Sequence, residues 1–290
     1  MSIKITNFFK LTASSFSYYI WRFFQSNEIK KRYFNVNGIN LYYESIGSEG
    51  GIPLIFLHGG SAFIDSFMGQ LPFFASKKRC KSNSTYYHII AVESRGHGRS
   101  TDSEARFSYS LMADDVLSLL NYLKIDKASI IGWSDGGIIG LDLAIRYPDR
   151  IHKLVLVGTN FNLTGLVPAF QEELKYASAK NWIEPSAVWM YKWKSRYKKP
   201  KPDPDIFIKK IAKMWLTEPN YSEEQIKTIK CPTLVMTGQN EEYIFESHTR
   251  QLAQLLQNAQ LELIPNSGHE CLMEQRKLCN SIIDEYLRRN

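Results

Sequence analysis

Ser134 stands in Gly132-Trp133-Ser134-Asp135-Gly136, a G-x-S-x-G spacing followed by Gly137. A serine hydroxyl is a weak nucleophile unless its backbone and neighbours prepare it. The apolar run 128–131 reads as a strand and 136–147 as a helix, so the serine falls on the turn between them. Glycines at 132 and 136 remove the side chains that would collide across such a turn, and a strained strand-to-helix elbow projects Oγ from the carboxyl edge of a sheet. The first N–H groups of the following helix favour negative charge developing there. The chemistry this arrangement suits is attack on a carbonyl carbon.

Such an attack needs a base, a group to orient it, and donors for the oxyanion. His269, in Ser267-Gly268-His269, follows the apolar run 260–264, where a loop can reach Ser134. The other histidines fit that task less well. His58 and His97 lie in glycine turns suited to packing, His88 begins a strand, His152 sits at a helix-to-strand turn, and His248 opens a helix. Run 233–237 leads into Gly238-Gln239-Asn240-Glu241-Glu242 and supplies the acid; Glu241 is favoured, and adjacent Glu242 could substitute. Run 53–57 leads into His58-Gly59-Gly60, which places the Gly60 N–H opposite the elbow as an oxyanion donor with the N–H of Asp135. The Asp135 side chain either offers a counter-charge to a cationic group on the substrate or is simply a helix N-terminal acid.

These residues need a frame that brings loops to one edge, and the chain reads as one. Runs 33–36 and 39–43 flank Asn37-Gly38, a strong hairpin signal. Short apolar runs at 53–57, 88–92, 128–131, 153–157, 233–237 and 260–264 alternate with helical patterns at 111–123, 136–147, 247–256 and a last one ending near 288. The alternation predicts an α/β fold with a mostly parallel, doubly wound sheet. The strand rhythm stops between about 160 and 228, which predicts an inserted helical cap. The expected organisation is an amphipathic basic arm at 1–32, a core at 33–160 and 229–290, and the cap at 161–228. Within the cap, Trp182, Trp189, Trp193 and Trp215 stand among Phe161, Phe170, Tyr176, Tyr191, Tyr197 and Phe207. The 182/189/193 spacing puts three indoles on one helical face, either a packing seam or a wall for an apolar substrate. Trp133, Trp189, Trp193 and Asp135 are the expected substrate contacts.

The composition bounds the function classes. The 290 residues carry a net charge of +7, with 44% hydrophobic and 22% charged residues, ordinary for a globular protein. The basicity is local: residues 1–32 carry +5 and 180–213 carry +7, which leaves −5 on the remainder. Two separate basic segments on an acidic body, without a zinc-finger, basic-zipper or RNA-recognition pattern, argue against nucleic acid as a partner. The longest uncharged run of the arm, 11–21, is too short to span a bilayer, and its broken apolar core is a poor signal peptide. Its aromatic and basic residues suit either peripheral contact with an anionic membrane surface or packing over the body. Cys80, Cys231, Cys271 and Cys279 lack zinc-type spacing. Cys271 and Cys279, eight apart on what reads as one helix, would lie about 12 Å from each other, beyond disulfide reach. A reducing, cytoplasmic setting fits, and no metal or cofactor ligand cluster is visible. Nothing in the sequence specifies an oligomeric state.

The joint order of these motifs, together with Glu93-Ser94-Arg95-Gly96-His97-Gly98-Arg99-Ser100 after the fourth strand, resembles the α/β-hydrolase superfamily over about residues 33–290. Its triad runs Ser, acid, His along the chain. Gly-Trp-Ser-Asp-Gly-Gly and Gly-Gln-Asn-Glu-Glu-Tyr-Ile are most similar to serine hydrolases related to the biphenyl-hydrolase-like amino-ester hydrolases. The resemblance implies an α/β-hydrolase fold and a Ser134–His269–Glu241 triad with Gly60 and Asp135 amides as the oxyanion hole. It implies cleavage of an ester or thioester of a small, apolar or aromatic substrate through an acyl-enzyme, with no cofactor and no metal. Carbon–carbon bond hydrolysis by the same triad and non-catalytic ligand binding are the alternatives. A serine nucleophile argues against the dehalogenase and epoxide hydrolase branches, which use a carboxylate there. Two departures stand out: Glu241 and Glu93 occupy positions where the family usually has Asp.

Overall fold

A computed structural model describes residues 13–24, 28–76, 87–181 and 203–289. In chain order the elements are α1 (Ala13–Phe24), β1 (Ile29–Val36), β2 (Ile39–Ile46), β3 (Ile52–Leu57), α2 (Leu71–Phe74), β4 (Tyr87–Glu93), α3 (Tyr109–Tyr122), β5 (Ala128–Trp133), α4 (Asp135–Arg146), β6 (Ile151–Val157) and α5 (Pro168–Leu174). They continue with α6 (Pro204–Thr217), α7 (Glu223–Lys227), β7 (Thr233–Gly238), α8 (Glu246–Leu255), β8 (Ala259–Ile264), α9 (Cys271–Glu274) and α10 (Arg276–Arg288).

The strands form one eight-stranded sheet in the order β1-β2-β4-β3-β5-β6-β7-β8. β1 pairs antiparallel with β2 and β2 with β4, and every pairing from β4 through β8 is parallel. This is the α/β-hydrolase fold, a mostly parallel doubly wound sheet, as the alternation of runs predicts. The middle strands are near-continuous Ile, Leu and Val because helices cover both faces. One apolar layer joins the sheet to α3, α4 and α6, and the other joins it to α2, α9 and α10. Lys153 on β6 reaches the end of α10, where its ammonium donates to the carbonyls of Tyr286 (3.3 Å), Leu287 (3.1 Å) and Arg289. It thereby satisfies carbonyls that a helix C-terminus leaves open.

Two places differ from the sequence reading. The first strand begins at Ile29, paired with Ile46, so residues 29–32 belong to the sheet although they were expected in the arm. Lys30, Lys31 and Arg32 disguise the strand because β1 is an edge and their side chains are exposed.

The helix before it is tied to the body by buried charge. The Arg22 guanidinium donates to Glu44 Oε1 on β2 at 2.6 Å and to the Tyr18 hydroxyl at 2.9 Å, and Tyr18 donates to Asp65 at 3.1 Å. Tyr18 is buried, while Tyr19 and Ile20 remain exposed. Among the described residues no helix is long and apolar enough to cross a membrane.

The second difference is a correction. Cys271 and Cys279 do not share one helix, because the chain breaks at Gln275 between α9 and α10. The turn brings the Cys279 thiol to within 3.3 Å of the Cys271 carbonyl, so the separation computed for a straight helix does not apply. Both thiols are free and fully buried, and the Cys271 thiol is raised well above its ordinary pKa by its hydrogen bond with Cys279 and by burial.

The excursion between β6 and β7 closes on itself. Asn162 bridges Asn220, and Tyr221 N–H donates to the Phe161 carbonyl at 3.0 Å. Beyond that closure α7 packs on α4 and α8. The entry limb is also stitched to the loop after β7: Leu166 bridges Ile244, Val167 N–H donates to Tyr243 O, and Phe245 N–H donates to Gly165 O, the last two at 2.9 Å. His248 accepts the Phe161 N–H at 3.2 Å and stacks on its ring. Burial pushes its pKa down to about 4, so it is a neutral packing residue.

Candidate active site

The elbow takes the form the glycine spacing demands. Ser134 has φ 53° and ψ −118°, a left-handed conformation that an L-residue keeps only when its surroundings impose it. Here β5 and α4 impose it. Ser134 N–H donates to Val157 O on β6 at 2.8 Å, and the Ser134 carbonyl accepts from Gly137 and Ile138 in the first turn of α4. A Cβ on Gly136 would overlap the Leu57 carbonyl at the end of β3, so the helix start is pressed against the neighbouring strand end. Asp135 is the first residue of α4, where an N–H has no partner within the helix.

His269 is delivered by the loop after β8 and Glu241 by the loop after β7. Nδ1 of His269 lies 2.9 Å from both Glu241 oxygens. A carboxylate can only accept, so Nδ1 carries the hydrogen and Nε2 is left with its lone pair. The imidazole lies against Gly158, where a Cβ would come within 3.0 Å of Cε1 and Nδ1. Gly158 directly follows Val157, the residue that receives the Ser134 N–H, so serine, histidine and carboxylate converge at the ends of β5, β6 and β7. Burial works against the imidazolium, but the Glu241 carboxylate outweighs it and holds the His269 pKa above its ordinary value. Burial likewise opposes ionisation of Glu241, yet the charge and hydrogen bond of His269 hold it below the usual carboxylate range. Thr237 Oγ1 and the Tyr243 N–H also donate to Glu241, at 2.9 and 3.0 Å.

The structure separates the two candidate acids. Glu241 holds the ring, whereas Glu242 Oε2 accepts the backbone N–H of the same histidine at 2.9 Å.

Opposite the elbow, the backbone of Gly59 runs alongside Ser134: a Cβ on Gly59 would lie 3.2 Å from the Ser134 Cβ. Gly60 follows, against the Asp135 carboxylate and the indole of Trp215 from α6; a Cβ there would be 2.5 Å from Asp135 Oδ2. Asp135 is buried without a lysine or arginine partner among the described residues. Its oxygens accept from Tyr109 OH and from Trp215 Nε1, both at 2.9 Å. Burial pushes its pKa up to about 6, and the two donors offset part of that rise. An aromatic arc leaves this point: Trp215 meets Phe170 at 5.7 Å between centroids, Phe170 meets Tyr243 at 4.8 Å, and Tyr243 meets the His269 ring edge-on at 5.1 Å. All three rings are half-buried. Phe170 and Trp215 were grouped among the cap aromatics by composition. Tyr243 was not singled out, although its place two residues beyond Glu241 is a signal.

Trp133 requires a correction. It was expected to face substrate but is 6% exposed, packed in the core beneath the histidine loop. Its Nε1 donates to the His269 carbonyl at 2.9 Å. The strand alternation of β5 turns it away from the cleft. Trp189 and Trp193 lie outside the described residues. His58 accepts the Ser94 N–H at 3.1 Å, and the His97 Nδ1 sits 2.9 Å from Arg95 O. Both serve the backbone of turns. Glu93 pairs with Arg99 and receives its N–H, so the longer acid at this position organises the arginine-glycine loop. Among the described residues no cluster of three or more His, Cys, Asp or Glu is arranged to hold a metal ion.

Comparison with known proteins agrees with this fold. Human serine hydrolase BPHL is 27% identical over 270 residues, covering 87% of this chain and 84% of its own. A 2-hydroxymuconate semialdehyde hydrolase from Pseudomonas sp. strain CF600 is 26% identical, covering 83% and 88%. Among solved structures, Est816, described as an N-acyl homoserine lactone degrading enzyme, superposes with a TM-score of 0.68 at 25% identity, covering 87% of this chain and 99% of its own. A meta-cleavage product hydrolase from Pseudomonas fluorescens IP01 shares the fold, with a TM-score of 0.74 at 21% identity, covering 90% and 98%. The family model of the alpha/beta hydrolase fold matches residues 52–275, and with the elbow, the histidine loop and the sheet order in place, the chain belongs to the alpha/beta hydrolase family.

Proposed function

We propose that this protein is a serine hydrolase that cleaves a carboxylic ester or thioester of a small, apolar or aromatic substrate through an acyl-enzyme. The observation that carries the reading is the hydrogen bond of His269 Nδ1 to Glu241, which in the neutral ring leaves Nε2 to accept, together with a serine held in an elbow at the same edge of the sheet. His269 takes the Ser134 proton as Oγ attacks the carbonyl, and Glu241 keeps the ring oriented and stabilises its charged form. The Gly60 and Asp135 amides receive the oxyanion, each such donor contributing roughly 10²–10³ in rate. The imidazolium then protonates the leaving group. In the second half, His269 deprotonates water for attack on the acyl-enzyme, and Ser134 is regenerated.

The Tyr243–Phe170–Trp215 arc supports an apolar or aromatic acyl group, because half-buried rings from the base to the oxyanion strand offer stacking area. The amine counter-charge role of Asp135 requires an ammonium to share or displace the Trp215 and Tyr109 donors. Carbon–carbon bond hydrolysis by the same residues is the second reading, favoured by the similarity to the 2-hydroxymuconate semialdehyde hydrolase. A fluorophosphonate probe followed by nitrophenyl esters of graded chain length tests the proposal. Labelling at Ser134 with ester turnover is expected. Turnover only of a vinylogous diketone acid points to the second reading, and an unlabelled Ser134 in folded protein rejects both.

A further inference from the structure

Three consecutive donors on the histidine loop each meet a different carboxylate. Gly268 N–H donates to Glu274 Oε2 at 2.7 Å, His269 N–H to Glu242 Oε2 at 2.9 Å, and His269 Nδ1–H to Glu241 at 2.9 Å. Among the described residues no lysine or arginine forms an ion pair with any of these carboxylates. Both Glu242 oxygens lie 2.5 Å from where a Cβ on Gly268 would stand, so the carboxylate rests on the bare Cα of that glycine. A larger residue at 268 would push it off.

We propose that Glu242 is a positioning residue for His269, gripping the main chain of the residue whose ring Glu241 holds. This inference rests on reading His269 as the general base. Two adjacent glutamates thereby fix one histidine at two points, main chain and ring, and Glu274 steadies the preceding peptide. The residue is exposed, so solvent screens its field, and the hydrogen bond carries more of its effect than the charge does. Some field remains. The groups facing His269 are Glu241 and Glu242 from the loop after β7, Glu270 on its own loop, Glu274 on α9, and Asp135 at the start of α4. Glu241, Glu242 and Glu270 favour the imidazolium.

The test compares Glu242→Ala, Glu242→Gln and Gly268→Ala in the full chain. Kinetics are normalised to fluorophosphonate-titrated sites, and the His269 imidazole is titrated in parallel by NMR of ¹⁵N-histidine protein. Glu242→Ala should lower kcat about tenfold, as expected for losing one charge-assisted hydrogen bond to a reacting group's backbone, with KM within about twofold. Glu242→Gln keeps an acceptor and should recover most of kcat. The imidazole midpoint should fall in both variants. Gly268→Ala, which displaces the carboxylate while leaving Glu242 in the sequence, should reproduce the Glu242→Ala loss, and the double variant should lose no more. Equal losses in the Ala and Gln variants, a fully additive double variant, or an unmoved midpoint with kcat within twofold of wild type would overturn the proposal. If wild type neither labels nor turns over esters, the hydrolase reading fails separately, and the imidazole titration of the variants still decides whether Glu242 governs His269.

Discussion

Replacing Arg22 by Ala tests whether the first helix is part of the hydrolase body or an appendage. The Arg22 side chain is 12% exposed and bridges two carboxylates that are more buried still: Glu44 at 0% and Asp65 at 5%. Removing one partner of a buried pair typically costs 3–5 kcal/mol, because a charge is left without compensation. The lower end applies here. Arg99 still lies 3.1 Å from Glu44, Tyr42 OH still donates to it, and Tyr18 OH still donates to Asp65. A loss of about 3 kcal/mol is therefore expected, from the lower end of that range. With an unfolding entropy of about 2.1 cal/mol/K per residue, this chain has about 0.6 kcal/mol/K, so Tm should fall by about 5 °C. Differential scanning calorimetry at neutral pH measures it, with Lys30→Ala as the control. Its pair with Glu49 is exposed on both sides and should shift Tm by less than about 1 °C. Ester turnover per folded molecule should not change, since the partners of Arg22 are Tyr18, Glu44 and Asp65 and none of the triad residues. A Tm for Arg22→Ala indistinguishable from that of Lys30→Ala would refute the claim that α1 is electrostatically integral.

Further outcomes follow from the site. Turnover should decline on the acid side with a midpoint above the ordinary histidine value of 6.5, because His269 is raised and must be neutral to accept the Ser134 proton; a kcat/KM profile flat down to pH 5 would contradict it. Asp135 is raised from 3.8 to about 6 in the folded protein, so the native state holds its proton more tightly than the unfolded chain does. The resulting stability is present below 3.8 and is lost as pH rises towards 6. Asp135→Asn should therefore flatten the urea-midpoint profile across that window. Trp215→Ala should shift preference towards bulkier acyl groups, read as the ratio of kcat/KM for branched and short nitrophenyl esters, because the indole covers Gly60. An unchanged ratio would remove Trp215 from the substrate wall.

The parts of this fold that the sequence reveals are those where local pattern and global role coincide. The buried strands β3, β5, β6 and β7 are apolar on both faces, the half-buried β8 is a short run of the same kind, and glycines mark the turns that follow them, so the order of the loops bearing Gly60, Ser134, Glu241 and His269 is legible in the sequence. The edge strand was less readable: Lys30, Lys31 and Arg32 face solvent and carry no alternation. The break at Gln275 was invisible because no glycine or proline marks it, and it changed where Cys279 lies relative to Cys271. Trp133 shows a different gap. Its neighbour's role was legible, but its direction depends on the pleat of β5, which sends alternate side chains to opposite faces. The choice between Glu241 and Glu242 depended on loop geometry that no spacing rule supplies.

The bridge between Asn162 and Asn220 has an engineering consequence. An insertion whose two ends meet at the body can be exchanged with little strain on its host, since the host sees only a short gap to span. Cutting at these two asparagines should allow the intervening segment to be transplanted as a unit, provided the graft restores what α6 gives the body: the buried Phe207, Ile208, Ile211 and Met214 and the Trp215 donor to Asp135. The stitches from Gly165, Leu166 and Val167 to residues 243–245 set the limit: a graft that omits them frees the loop carrying Glu241. A chimera library for altered selectivity should therefore keep 162–167 native and vary the chain from 168 onward, so that diversity accumulates around the cleft while the proton-handling residues keep their scaffold.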